Sequence, residues 1–423
     1  MPRPMKHSGV DWLGDIPADW KTQRGKNILT ILERSVRDDD NVVTCFRDGE
    51  VTLRSNRRED GFTMSDKEIG YQGIDIGDLV VHGMDGFAGA IGISDSRGKA
   101  TPVLNVMDSS QNKRYLMYYL RCAAYCGLFL SLSTGIRVRS CDTNWNKLKN
   151  VIYLLPPLDE QQRIANFLDD ECARIDSVIE KTRASIEEYK KLKQAIITRA
   201  VTKGIRPNRT LKQSGIEWLG DIPSDWEVIK LKYVANFQPN CDTSKLTDDS
   251  EITYTPMECI KNGYFINNTA LFGSVAASLT PYNEGDIVMA KVTPCFENGN
   301  IAVMENLASG FGLGSSELFV FRTQSIATRY LFYWLQNYLF MQQGCATMTG
   351  TGGLKRVSPY FVRNSHVTYP PLDEQKEIAQ YLDEKTAAID SLITKKNQLV
   401  TELERLKKSL IFEYVTGKKE VAP

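Results

Sequence analysis

Two parts of this chain carry the residue types that fork onto nucleic acid. Arg54, Asn56, Arg57 and Arg58 cluster in a polar stretch, and Arg137 and Arg139 follow a small-residue loop that includes Thr134. Farther along, Lys291 and Thr293 follow a short apolar run, and Lys355 and Arg356 follow a glycine-rich loop that includes Thr351. Arginine, lysine and asparagine reach base edges, while small-residue loops bring backbone amides up to phosphates. Taken one at a time, such residues are more often solvated loop charges. Basic residues at corresponding places in two parts of one chain are the stronger signal.

Enzymatic chemistry has less to stand on. The three histidines, His7, His82 and His366, have no metal-ligand spacing to one another. No GxSxG elbow, HExxH pair or phosphate-binding GxxxxGK[ST] loop occurs. An Asn/Asp-Pro-Pro-aromatic motif for amino methylation of a base is missing as well. Gly310-Phe311-Gly312-Leu313-Gly314 touches a nucleotide-binding pattern but lacks the third glycine at the proper place. The carboxylate pairs Asp159/Glu160 and Asp373/Glu374 could serve acid–base work, but their duplication at helix starts favours N-terminal capping, with Asp159 and Asp373 as the caps. Nine cysteines are scattered without a CxxC pair. They read as reduced, mostly buried thiols, with neither a zinc site nor a disulfide frame expected. Lysine plus arginine equals aspartate plus glutamate at 52 each. That balance argues against a protein gripping nucleic acid unaided, since phosphate neutralisation dominates such affinity. It leaves room for a partner that supplies charge.

The elements that would position these residues are written twice. Residues 8–20 read SGVDWLGDIPADW and residues 214–226 read SGIEWLGDIPSDW; PLDEQ stands at 157–161 and again at 371–375. Each globular stretch offers a strand candidate after a Gly-Asp turn, residues 75–81 (DIGDLVV) and 286–289 (DIVM), and then a helix candidate, 115–132 and 330–341. A small-residue loop follows each. The frame repeats while most side chains between the landmarks differ.

Each PLDEQ opens a long amphipathic run, roughly 159–201 and 373–415. Ile164, Leu168, Ile175, Ile179, Ile186 and Leu192 fall on one heptad stripe of the first. Ile378, Leu382, Ile389, Leu392, Leu399 and Leu403 do so in the second. At 1.5 Å per residue each helix would be about 60 Å long. Such a stripe is too apolar to stay exposed, so the two helices are expected to pair. With a globular half between them, an antiparallel arrangement with an internal pseudo-two-fold is expected. The chain of 423 residues shows no apolar run of membrane-spanning length, and its first residues lack the apolar core of a signal peptide, so a cytoplasmic location is expected.

Taken together, the doubled SGxxWLGDIPxDW, the doubled PLDEQ and the long helices after them resemble the specificity subunit of type I restriction-modification systems. The resemblance spans nearly the whole chain. It implies an α+β architecture of two mixed α/β target-recognition domains, at 1–156 and 206–370. These would be joined by two long helices, at 157–205 and 371–423, forming an antiparallel coiled coil that acts as a spacer. It implies that each domain reads one half of an interrupted, asymmetric sequence in double-stranded DNA. It implies two methyltransferase subunits as partners, and restriction/translocase subunits joined through them. S-adenosylmethionine, ATP and Mg would sit on those partners, with no cofactor, metal or catalytic residue in this chain. The alternatives are the specificity chain of a two-subunit restriction enzyme with a fused nuclease-methyltransferase partner, or a coiled-coil scaffold that does not touch DNA.

Overall fold

The duplicated motif folds the same way at both places, because the same few side chains lock it. In the computed structural model, which describes residues 3–57, 69–132, 143–275, 278–351 and 353–421, Met5–His7 pairs antiparallel with Asp15–Pro17. Leu211–Gln213 likewise pairs with Asp221–Pro223. Each hairpin is followed by a fully buried tryptophan, Trp20 or Trp226. Eight α-helices occur among the described residues: α1 (Lys113–Tyr125), α2 (Leu128–Ser131), α3 (Trp145–Leu148), α4 (Leu158–Lys203), α5 (Thr328–Gln336), α6 (Tyr338–Ala346), α7 (Pro359–Asn364) and α8 (Leu372–Val415). The two helix candidates of the globular stretches are each broken in two. Gly127, at φ +77°, ends the first piece in a left-handed conformation that glycine adopts freely, and Asn337 caps α6 by accepting from the Phe340 amide.

The chain divides into two compact units, Met1–Arg183 with Gln398–Pro423, and Ala184–Asn397. Each long helix is thereby shared between them. The first unit is built on a four-stranded sheet in the order Leu29–Ile31, Leu104–Ser109, Leu79–His82, Ile91–Ile93. The second has the same order in Ala235–Phe237, Leu318–Thr323, Ile287–Ala290, Ile301–Val303. In both, a Gly-Asp turn leads into the central strand; the second begins at Ile287, beside the expected 286, but the first begins at Leu79 rather than at 75, because residues 76–77 form the turn itself. The aspartate of that turn is buried and ion-paired, Asp78 to Arg34 and Asp286 to Arg322. The partners come from unlike places, Arg34 from the loop after Leu29–Ile31 and Arg322 from the strand Leu318–Thr323, so the aspartate is repeated and its arginine is not. The additional strands differ more. The second unit adds a four-stranded sheet ordered Asn268–Leu271, Glu251–Thr255, Phe311–Gly314, Thr280–Asn283, with one parallel pairing. The first unit has two separate two-stranded ladders, Val43–Cys45 with Val51–Leu53 and Gln72–Ile74 with Gly98–Ala100.

Within the first unit the beginning of α4 lies antiparallel to the end of α8. Ile164, Leu168 and Cys172 share one core with Ile411 and Val415, and Ile175 and Ile179 pack with Val400 and Leu403. Lys407 pairs with Asp176 at 2.6 Å. Within the second unit the end of α4 lies antiparallel to the beginning of α8. Ile197, Ala200 and Val201 share a core with Ile378 and Leu382, and Lys193 pairs with Asp390 at 2.7 Å. Ile186 and Ile389 are also buried. The stripe needs one correction. Leu192, Leu392 and Leu399 are 47%, 41% and 42% exposed; beside Leu399 the buried residue is Val400, and beside Leu192 the Lys193 side chain is only 14% exposed. Alternating steps of three and four residues carry the seam through residue 193. A lysine serves there because its aliphatic stem covers the seam while the ammonium reaches Asp390.

A second correction concerns the helix starts. α4 begins at Leu158 and α8 at Leu372, so Asp159 and Asp373 lie inside the first turn, where they face the positive end of the helix dipole rather than cap it. The residues after them do more. Glu160 is buried and accepts from the Trp20 indole at 3.1 Å and from Arg3. Glu374 accepts from the Trp226 indole at 3.0 Å and from Arg209. Gln161 donates to the Pro156 carbonyl and accepts from the Asn112 amide; Gln375 donates to Pro370 and accepts from Ala327. PLDEQ therefore ties a helix to the hairpin, the preceding proline and the start of a neighbouring helix. At the far helix ends, Gly417 and Gly204 take left-handed conformations. A Cβ on Gly417 would stand 2.4 Å from Pro17, and one on Gly204 would stand 3.2 Å from Trp226. Two glycines of Gly310–Gly314 have a packing explanation too: a Cβ on Gly312 would strike the Tyr282 ring at 2.2 Å and one on Gly314 would stand 2.6 Å from Leu318.

Candidate nucleic-acid interface

In the second unit the backbone brings four of the five predicted residues to one place. The chain leaving Ile287–Ala290 bridges to the segment after the glycine-rich loop, Val292 with Arg356, and Arg356 also bridges to Thr349. Thr293 and Lys355 are tied reciprocally: the Thr293 amide donates to the Lys355 carbonyl, and the Lys355 amide donates to Thr293 Oγ1 at 3.0 Å. The Lys291 ammonium donates to the Ser316 carbonyl at 2.7 Å, and the Lys355 side chain is exposed. Thr351 is exposed in the intervening loop, where its carbonyl accepts from the Leu354 amide. The result is a small platform with Lys291, Lys355 and Arg356 at neighbouring positions.

One member of that platform was invisible in the sequence. Glu317, in the turn just before Leu318–Thr323, receives Arg356 bidentately, Nε to Oε2 at 2.8 Å and Nη2 to Oε1 at 2.7 Å. The Arg356 guanidinium holds the Glu317 carboxyl below its usual range. A lone glutamate in the run GLGSSELF gives no hint of a partner 39 residues away. Arg356 also lines a cavity of about 780 Å³ together with Thr347, Thr349, Tyr360, Asn364 and His366.

In the first unit the predicted residues are only partly described. Arg54, Asn56 and Arg57 form a 3-10 turn and its end, directly after the strand Val51–Leu53. Arg54 donates to Thr44 Oγ1 and Asn56 to Thr52 Oγ1, which fastens both to the hairpin. Arg57 donates to Asp48 at 2.7 Å, lies near Glu50, and stacks 4.3 Å over the Phe46 ring. Its charge is thus answered by two carboxylates of the hairpin loop. Arg58, Thr134, Arg137 and Arg139 lie outside the described residues. Among the described residues no group of three or more His, Cys, Asp or Glu is placed to hold a metal ion. No described helix is long and apolar enough to cross a membrane.

With this geometry in hand, comparison with known proteins is specific. The family model of the type I restriction modification DNA specificity domain matches residues 223–402. The chain is 33% identical over 189 residues to the type I restriction enzyme EcoAI specificity subunit of Escherichia coli, a match covering 44% of this chain and 31% of that protein. It is 32% identical over 163 residues to the EcoEI specificity subunit of the same organism, covering 37% of this chain and 27% of the relative. These matches span less than a third of either relative. Over nearly full length it is 25% identical to the putative type I restriction enzyme MjaX specificity subunit of Methanocaldococcus jannaschii, covering 96% of this chain and 95% of that one. A solved chain, from work on complex assembly and conformational transition of the type I R-M system, is similar with a TM-score of 0.70. It is 16% identical, with 96% of this chain and 99% of that one covered, a likeness of fold alone.

Proposed function

We propose that this chain, which belongs to the type I restriction-modification specificity-subunit family, reads the two halves of a bipartite, asymmetric DNA site and presents that DNA to two methyltransferase subunits. One observation carries the reading. Both units keep the same locking contacts at their helix junctions, while the strands and loops built on that frame differ. A repeated frame suits repeated duties, such as docking two copies of one partner; unlike loops suit unlike half-sites. The residues assigned to reading are Arg54, Asn56 and Arg57 in one unit and Lys291, Thr293, Lys355 and Arg356 in the other, chosen because their types match base edges and phosphates. In this proposal the chain is non-catalytic and cytoplasmic. Methyl transfer from S-adenosylmethionine, and the ATP and Mg chemistry of restriction, belong to partner subunits. The near-neutral chain relies on those partners for many of its phosphate contacts.

Footprinting tests this. The full chain assembled with methyltransferase subunits is expected to protect two short blocks of fixed sequence separated by an unread spacer. The chain alone, given S-adenosylmethionine and DNA, is expected to transfer no methyl group. Protection that does not depend on sequence would reject the proposal, and methyl transfer by the chain alone would reject its non-catalytic part.

A further inference from the structure

We propose that Glu317 is a positioning residue that presets Arg356 to read a guanine, an inference that rests on the DNA-reading function proposed above. An arginine guanidinium carries five N–H donors in a rigid plane. Glu317 takes two of them, one on Nε and one on Nη2, at 2.8 and 2.7 Å. The edge left over, Nη1 with the outer hydrogen of Nη2, is itself a two-donor fork. That fork matches the O6 and N7 acceptors that guanine alone presents side by side in the major groove. Arg356 is therefore held by one edge and offered by the other.

The surroundings make the presentation rigid. The Arg356 amide donates to the Thr349 carbonyl at 2.8 Å and its carbonyl accepts from the Thr349 amide at 3.1 Å. The next amide, Val357, donates to the Lys291 carbonyl at 2.9 Å. Glu317 is anchored at both ends of its peptide unit: its amide donates to Ser315 Oγ and its carbonyl accepts from the Lys291 amide. The Arg356 side chain is nevertheless 48% exposed, so the free edge has access to a duplex. A phosphate-gripping arginine has no need of such alignment, because a phosphate accepts from many directions. A buttressed, half-exposed fork is the arrangement that discriminates among base pairs, since less side-chain entropy is lost on contact.

The test is selection from a randomised duplex pool by the full chain assembled with methyltransferase subunits, comparing wild type with Glu317→Gln and Arg356→Lys. The wild-type assembly is expected to enrich a bipartite sequence; if it enriches none, the DNA-reading function itself fails before Glu317 is at issue. Given that enrichment, both variants are expected to lose preference for guanine at one and the same position, by about tenfold to a hundredfold. Every other position, and the whole of the other half-site, is expected to stay unchanged. Arg356→Lys keeps the charge and removes the fork, so it separates base reading from phosphate attraction. A loss spread evenly over all positions, or an unchanged selection in either variant with the melting temperature of wild type, overturns the inference.

Discussion

At the scale of single residues, the best-determined feature is the buried carboxylate at each helix start. Burial pushes the Glu374 carboxyl up, but Arg209 and the Trp226 indole more than offset it and leave it below the usual glutamate value of 4.5. Asp225, which shares Arg209, is likewise held low, chiefly by that hydrogen-bonded guanidinium. A carboxylate with a depressed folded value adds stability at pH above its unfolded value and loses it as pH falls through the folded value. The chain is thus expected to lose stability progressively as pH drops below about 4.5. Glu374→Gln keeps the side-chain shape but removes the charge, and should cost about 1.5–3 kcal/mol at neutral pH, the worth of a hydrogen bond to a charged group. Its acid limb should be shallower than that of wild type. Urea denaturation at several pH values reads both effects; an unchanged neutral-pH midpoint would show the Arg209–Glu374 contact to be dispensable. Such a cluster could not have been read from the sequence in full. The doubled tryptophan and glutamate stood out as repeats, but a separation of 148 positions between Trp226 and Glu374 hid their contact. Arg3 and Arg209 lie outside both repeated motifs.

At the scale of elements, what the sequence made legible was whatever depends on period and punctuation. The two long helices announced themselves by proline before, glycine after and an apolar stripe between. The Gly-Asp turns marked the central strands. The phase of the stripe was harder, because leucine at 192, 392 and 399 competes with Lys193 and Val400 for the same side of the helix. Composition favours leucine, while the seam's geometry favours the neighbour in phase, Val400 packed with Ile175 and Ile179 and Lys193, whose long stem pairs with Asp390 at its tip. The phase is testable. Ile175→Ala removes a side chain buried against Val400 and Leu403 and should cost about 2–5 kcal/mol. Leu392→Ala removes a side chain that is 41% exposed and should cost less than about 1 kcal/mol. Comparable losses in thermal melts of the two variants would mean the seam runs elsewhere. The loops that carry Lys291, Lys355 and Arg356 were legible only as basic residues near small ones. Their convergence depends on bridges between positions 292, 349 and 356, and non-local pairing of that kind leaves no periodic trace.

At the scale of the whole molecule, the proposed function makes the long helices a ruler, and a ruler can be cut. Deleting seven residues from the middle of each long helix removes one heptad, so the apolar seam stays in phase on both sides of the cut. At 1.5 Å per residue each helix shortens by about 10 Å. A base pair rises about 3.4 Å, so the recognised spacer should shorten by about three base pairs. The letters of both half-sites should stay as they were, because the loops that read them are untouched. Affinity should nevertheless fall. Three base pairs turn the duplex by roughly a third of a turn, whereas removing a heptad turns a straight helix by only about 20°. One reader then meets its half-site partly out of phase unless the DNA twists to follow. Mapping methylated bases in a genome modified by the shortened chain, beside the wild-type map, measures spacer and letters together. A shortened spacer with intact letters is the outcome that a ruler requires. An unchanged spacer, or changed letters in either half, would mean that something other than helix length sets the distance between the two reads.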